Sequence, residues 1–216
     1  MSIPNIKATV ILCGGDSRRM GSDKALVELD GKPLLRRHVD AIRSLGLDVP
    51  IYISSGGRRY EILDDCDVTY VQDVVAGAGP LSGIAGALID AERLTCVADH
   101  IFAMPIDTLV PPRVLLEALA SAKLTPQGVA LIRGERLHPV HGLFPISAAE
   151  PLRIFVESGG RAVMTFLESL KIEEVSLEGG WESCLNFNCH DDYIAACKAL
   201  SRLSTSHAHT GTAQSG

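Results

Sequence analysis

The chain has 216 residues, which suits one domain or one domain with a small lobe, and a formal net charge of -6 with no long basic stripe, which excludes nonspecific nucleic-acid binding. Hydrophobic residues make up 46% and aromatics 5%, so an aliphatic core of the α/β kind is expected. No apolar stretch approaches the ~20 residues of a membrane span, and residues 1–7 lack the layout of a secretory signal, so the chain reads as cytoplasmic with no membrane partner.

Residues 8–12 form an apolar run and the first expected strand. It feeds into Leu12-Cys13-Gly14-Gly15-Asp16-Ser17-Arg18-Arg19-Met20-Gly21-Ser22-Asp23-Lys24-Ala25. Two glycines let backbone N–H groups approach a phosphate, and Arg18, Arg19 and Lys24 add three cations against an acidic background. Strand, glycine turn and basic side chains suit a nucleoside triphosphate. This is no Walker A loop: five residues separate Gly15 from Gly21, and Lys24 is followed by Ala25. A solvated turn is the plain alternative for the glycine pair alone.

Residues 33–45 read as a helix, with Pro33 first, Leu35, Val39 and Ile42 on one face and Gly46 at its end. Strands are expected over 50–54, bounded by Gly56-Gly57, and over 68–72. Gly79-Pro80 opens a helix through Ala91, residues 100–104 form a fourth strand, and 111–122 another helix. Strands alternating with helices imply a doubly wound, mostly parallel sheet in three layers. Ligands then bind beyond the carboxyl ends of the strands: the Gly14-Gly15 loop, Asp73 and Asp107.

Past Gly128, residues 129–133 and 137–144 read as successive strands around a Gly134-Glu135 turn, a short antiparallel part. Helices near 148–157 and 162–170, a strand over 172–177 and a helix over 191–203 complete the domain, the last with Ile194, Ala195 and Cys197 as its apolar contacts. Residues 204–216 read as a disordered tail carrying His207 and His209, a weak compositional metal signal. The six cysteines form no C-x-x-C pair, and in a reducing compartment most read as small buried hydrophobes.

A carboxylate at a strand tip facing a phosphate loop suits Mg²⁺, which makes Asp107 the metal candidate. Asp73 leaves a strand end into a glycine-rich loop; its plain alternative is a solvated loop residue. Alternation puts Asn186 and Asn188 on one face of an extended segment. It would set His138 and His141 on opposite faces, which argues against zinc.

The run GG-x-S-x-R-M-G-x-D-K-A-L resembles the signature of the molybdenum cofactor guanylyltransferase family, and the resemblance extends from about residue 8 to about residue 200. It implies a Rossmann-like nucleotidyltransferase domain over 1–203, with a nucleotide-binding half near 8–110 and a cofactor-binding half near 128–203. It implies transfer of GMP from GTP to the terminal phosphate of a molybdopterin-type cofactor with release of pyrophosphate, Mg²⁺ as cofactor, and a molybdoenzyme or its chaperone as a further partner. Arg19, Lys24 and Asp107 take the catalytic roles. Leu12, Cys13, Gly14, Gly15, Lys24, Ser54, Asp73, Gly79, Pro80, Leu81 and Asp107 take the nucleotide. Asp107 and Asn188 hold the metal, and His138, Arg161, Asn186 and Asn188 meet the cofactor substrate. The chain departs from the family pattern at Cys13 (usually alanine), at Ser54 or Ser55 (often asparagine), at Cys189 (usually threonine) and at Ala162, where some members carry a second arginine. Cytidylyl transfer to the same cofactor, a sugar-phosphate nucleotidyltransferase and a non-catalytic GTP-binding regulator stand as alternatives.

Overall fold

The computed structural model of the chain describes residues 3–14 and 23–210, with 204–210 given by backbone alone. Seven strands form one sheet in the order β5-β4-β1-β6-β8-β7-β9: β1 Ala8–Leu12, β4 Ile51–Ser54, β5 Thr69–Val71, β6 His100–Pro105, β7 Gly128–Arg133, β8 Leu137–Pro145 and β9 Lys171–Ser176. Every pairing is parallel except those of β8, which runs against both β6 and β7. A separate two-stranded ribbon pairs β2 Glu28–Leu29 with β3 Lys32–Pro33 around Asp30 and Gly31, both at positive φ.

The helices cover both faces. On one side lie α1 Leu34–Arg43, α3 Pro112–Leu119 and α6 His190–Thr210. On the other lie α2 Pro80–Glu92, α4 Ala149–Glu157 and α5 Val163–Leu167. Strand alternation divides the core accordingly. Ile11, Phe102 and Met104 pack toward α1 and α3, whereas Val10, Leu12, Ile101 and Ala103 pack toward α2. A sheet covered on both faces explains why β1 is apolar but for Thr9 and buried at all five residues. In α1 the spacing of Leu35, Val39 and Ile42 does bring all three into the core, together with His38.

The last helix departs from expectation twice. It continues to Thr210, so residues 204–210, expected as tail, are helical. No glycine or proline interrupts the chain between Leu203 and Gly211, so nothing in the sequence stops the helix earlier. Residues 211–216 lie outside the described residues. Ile194 and Ala195 are exposed, and the buried face is instead Tyr193, Ala196, Cys197 and Leu200, spaced three and four apart.

Strand order reverses at β1: β4 and β5 lie to one side of it and β6 to the other. The crevice beyond Leu12 and Pro105, register partners on β1 and β6, is therefore the switch point of the fold. Two glycines let α2 press against the sheet beside it. A Cβ on Gly83 would stand 2.0 Å from Ser54 Oγ, and one on Gly86 would stand 2.2 Å from the Gln72 carbonyl oxygen. Backbone cannot retreat as a side chain can. Gly86→Ala should therefore lower unfolding free energy by about 1–3 kcal/mol in urea titration, although alanine gains about 1 kcal/mol of helix propensity over glycine. A rise in stability would mean that α2 does not lie this close to β5.

Candidate active site

The cleft at the switch point has a volume of about 460 Å³. Its back is β1 and the start of the following loop: Leu12, Cys13 and Gly14. The loop is fixed by Cys13 N–H donating to the Ser54 carbonyl at 2.7 Å and by Ile106 N–H donating to the Leu12 carbonyl at 3.0 Å. Gly15 and Arg19, with Arg18, lie outside the described residues.

Lys24 and Asp107 meet in this cleft. Lys24 Nζ donates to Asp107 Oδ2 at 2.9 Å and to the Phe187 carbonyl at 2.8 Å. The side chains are 14% and 22% exposed, so the pair is shielded yet open to a ligand on one side. An ammonium has three donors; among the described residues two are committed and one remains. Asp23 sets the position of Lys24: its carboxylate caps the 3-10 turn Lys24–Leu26 by accepting from Ala25 N–H, and also accepts from Arg58 and Tyr60.

The Asn186-Phe187-Asn188 segment closes the front. Phe187 is fully buried, and both asparagines line the cleft, as alternation requires. Phe187 N–H donates to the Asp107 carbonyl at 3.1 Å and Leu109 N–H to the Cys184 carbonyl at 2.8 Å, so the segment is docked on the Asp107 strand end. Asp192 accepts from the N–H groups of Asn188 and Cys189, and those bonds hold its carboxyl below the usual range. Of the acidic pair after the motif, Asp192 is thus the cap that fixes it.

The far wall is the β7–β8 hairpin. Arg136, unassigned from the sequence, lines the cleft and donates to Asn186 Oδ1 at 3.2 Å. His138 and His141 both line the cleft, and their rings meet edge to face at 5.2 Å. Alternation placed them on opposite faces. The register shift corrects this: Leu131 pairs with Gly142 but the next residue, Ile132, pairs with His138, so residues 139–141 bulge and carry His141 round to the side of His138. His141 Nε2 lies 2.9 Å from the Leu185 carbonyl, and Nδ1 is buried without a partner among the described residues. Burial lowers the His141 pKa to about 3 and that of His38, whose Nε2 faces the Ile106 carbonyl, to about 4. Burial pushes the Cys13 thiol up, with Asp23 adding to it, so the thiol stays protonated.

The other predicted residues separate. Ser54 Oγ donates to Asp73 Oδ1 at 3.0 Å, a pair beyond the ends of β4 and β5 on the cleft's flank, and burial raises the Asp73 pKa against that bond. Pro80 lines the cleft and Gly79 precedes it at φ 83°, but the Leu81 side chain is wholly inside the core. Arg161 is not among the cleft residues; its guanidinium donates to the Val156 and Gly160 carbonyls. Among the described residues no group of three His, Cys, Asp or Glu side chains could cage a metal. The side chains of His207 and His209 lie outside the described residues.

A doubly wound sheet with a lysine, a carboxylate and two amides around its switch point is the build of a nucleotide-handling transferase. The model of the MobA-like NTP transferase domain matches residues 9–174. A molybdenum cofactor guanylyltransferase of Rhizobium johnstonii is 33% identical over 91% of this chain and 94% of its own, and one of Yersinia pestis is 30% identical over 88% and 93%. The crystal structure of molybdopterin-guanine dinucleotide biosynthesis protein A from Archaeoglobus fulgidus shares the fold, with a TM-score of 0.67 at 21% identity over 90% of this chain and 99% of that one. The chain belongs to the MobA-like NTP transferase family and is a nucleotidyltransferase.

Two of the buried histidines, His38 and His141, give the fold an acid limit. Their folded pKa values lie below the ordinary 6.5, so below that pH the unfolded chain binds protons the fold refuses. Stability should be full above pH 6.5 and fall on acidification, by on the order of 2 kcal/mol per histidine at pH 5. His141→Gln should make that fall smaller by about 2 kcal/mol in denaturant titrations at pH 7 and pH 5. An unchanged fall would show that His141 takes its proton inside the fold.

Proposed function

We propose that the protein transfers GMP from GTP to the terminal phosphate of a molybdopterin-type cofactor, forming the guanine dinucleotide cofactor and releasing pyrophosphate. The observation that carries this reading is the junction of Lys24, Asp107 and the Phe187 carbonyl at the switch point, with one ammonium donor left for a phosphate oxygen. The guanylyltransferase names of relatives that align over nearly the whole chain support it.

The donor set fits Mg²⁺. Asp107 offers a carboxylate and Asn188 an amide carbonyl, both hard oxygens lining the cleft, and Mg²⁺ is held by one or two such groups plus phosphates and waters. When bound it would neutralise charge on the phosphate oxygens. The attacking phosphate is already an anion, so no general base is required. The task left to the chain is alignment and charge neutralisation. Lys24 faces the triphosphate, and Arg19 would add charge on the departing pyrophosphate. Arg136 and Asn186 stand on the opposite wall, where the incoming phosphate must lie. Ser54 and Asp73 sit where guanine's N1–H and N2–H₂ donors could be accepted, and Cys13 stands beside the nucleotide. The product would pass to a molybdoenzyme or its chaperone in the cytoplasm; among the described residues no helix is long and apolar enough to cross a membrane.

Pyrophosphate release with molybdopterin and each nucleoside triphosphate in turn tests the assignment. GTP should be the preferred donor, and equal or faster release with CTP would make this a cytidylyltransferase. Asp107→Ala should cut turnover by at least about a hundredfold with an unchanged circular dichroism spectrum. Near-normal turnover in that folded variant would remove Asp107 from the mechanism.

A further inference from the structure

Asp23, the residue before the cleft lysine, is held from two directions. Its Oδ1 accepts from Ala25 N–H at 3.0 Å, and its Oδ2 accepts from the Tyr60 hydroxyl at 3.0 Å and from Arg58 at 2.8 Å. The last two donors come from the loop after β4, 37 and 35 residues further along the chain. They are not equal. The Arg58 side chain is 66% exposed, so solvent screens its pair with Asp23. Tyr60 is 6% exposed and belongs to the core on the α1 side of the sheet, so its hydroxyl is a fixed point. A hydroxyl donating to a carboxylate is also a charge-assisted bond, about twice as strong as a neutral one.

Tyr60 is braced in its turn. Its N–H donates to the Tyr70 hydroxyl at 2.9 Å, and the Tyr70 ring, carried by β5, faces the Arg59 guanidinium at 5.0 Å. A line of contacts thus runs from β5 through Tyr70, Tyr60 and Asp23 to the 3-10 turn that carries Lys24. The same strand ends at Val71 and leads to Asp73, the carboxylate proposed above for guanine. One strand therefore supports both ends of the nucleotide site. The spacing between a base and its phosphates is set by the nucleotide, so the two ends must be held in step, and a small misplacement of either is costly. We propose that Tyr60 is a positioning residue for the nucleotide: its buried hydroxyl anchors Asp23 and so holds the Lys24 ammonium in register with the triphosphate. Without that hydroxyl, the Asp23 oxygen keeps only the screened Arg58, and the lysine turn gains freedom. This rests on the GTP reading above.

Tyr60→Phe removes the hydroxyl and keeps the ring in the core. The test is a double-mutant cycle in which GTP and guanosine are titrated calorimetrically into the unaltered protein, Tyr60→Phe, Lys24→Ala and the double variant. Tyr60→Phe should cost about fivefold or more in GTP affinity and less than about twofold for guanosine. In the Lys24→Ala background the same change should cost less than about twofold for either ligand, because the group that Tyr60 positions is gone. In turnover, Tyr60→Phe should raise the KM for GTP and leave that for molybdopterin unchanged. An equal GTP loss in both backgrounds would make the hydroxyl a support of the fold alone and overturn the proposal, as would equal losses for GTP and guanosine. Full GTP affinity in Tyr60→Phe beside a loss in Lys24→Ala would overturn it while leaving the GTP reading intact. If the unaltered protein binds GTP no more tightly than guanosine, the GTP reading fails and takes the proposal with it.

Discussion

The ion pair between Lys24 and Asp107 is the contact on which the site depends. It joins side chains 83 residues apart, one at the end of the phosphate loop and one at the tip of β6, and the same ammonium holds the Phe187 carbonyl from a third segment. Three pieces of chain thus converge on one charge. The pair is part-buried, so neither partner is fully hydrated and each requires the other. A triphosphate entering the cleft would replace solvent with further negative charge next to a cation that has a donor to spare.

The fold supplies what that contact needs. The register of β1 against β6 puts Leu12 beside Pro105, and Ile106 N–H then ties Asp107's strand end to the start of the phosphate loop. Gly83 and Gly86 let α2 sit against Ser54 and Gln72, which brings the Pro80 end of that helix to the cleft. Asp192 fixes the asparagine segment by its backbone, while the Asn186 amide oxygen accepts from Arg136. Hydrogen bonds tie Lys24, Asp107 and the backbone of the asparagine segment to one another, as preorganised charge stabilisation demands.

The sheet was legible because its signals are local. Apolar runs, glycine turns and helical spacing placed β1, α1, α2 and β6 within a residue or two of their bounds. The Asp30-Gly31 pair is an equally local hairpin signal that went unread, and it makes the β2–β3 ribbon. What was not legible depends on distant partners. The β8 bulge that joins His138 to His141 arises in pairing with β7, and no period within 137–145 encodes it. The exposed Ile194 shows the same limit: which face of α6 is buried depends on what Tyr193 and Ala196 meet across the chain. At the site, Lys24, Asp107, Asn186 and Asn188 could be named from motif and strand-end position. Arg136 could not, since a single arginine in a turn has no spacing to mark it; Arg161, named from the resemblance, bonds the Val156 and Gly160 carbonyls, partners that are invisible in sequence.

Calorimetric titration of Lys24→Ala with GTP and with guanosine tests the central claim most directly. A lysine that serves the triphosphate should, when removed, cost about tenfold or more in GTP affinity and leave guanosine affinity unchanged. Equal losses for both ligands would put Lys24 on the nucleoside or in the folding of the loop, and no loss for either would contradict the phosphate role on which the account is built.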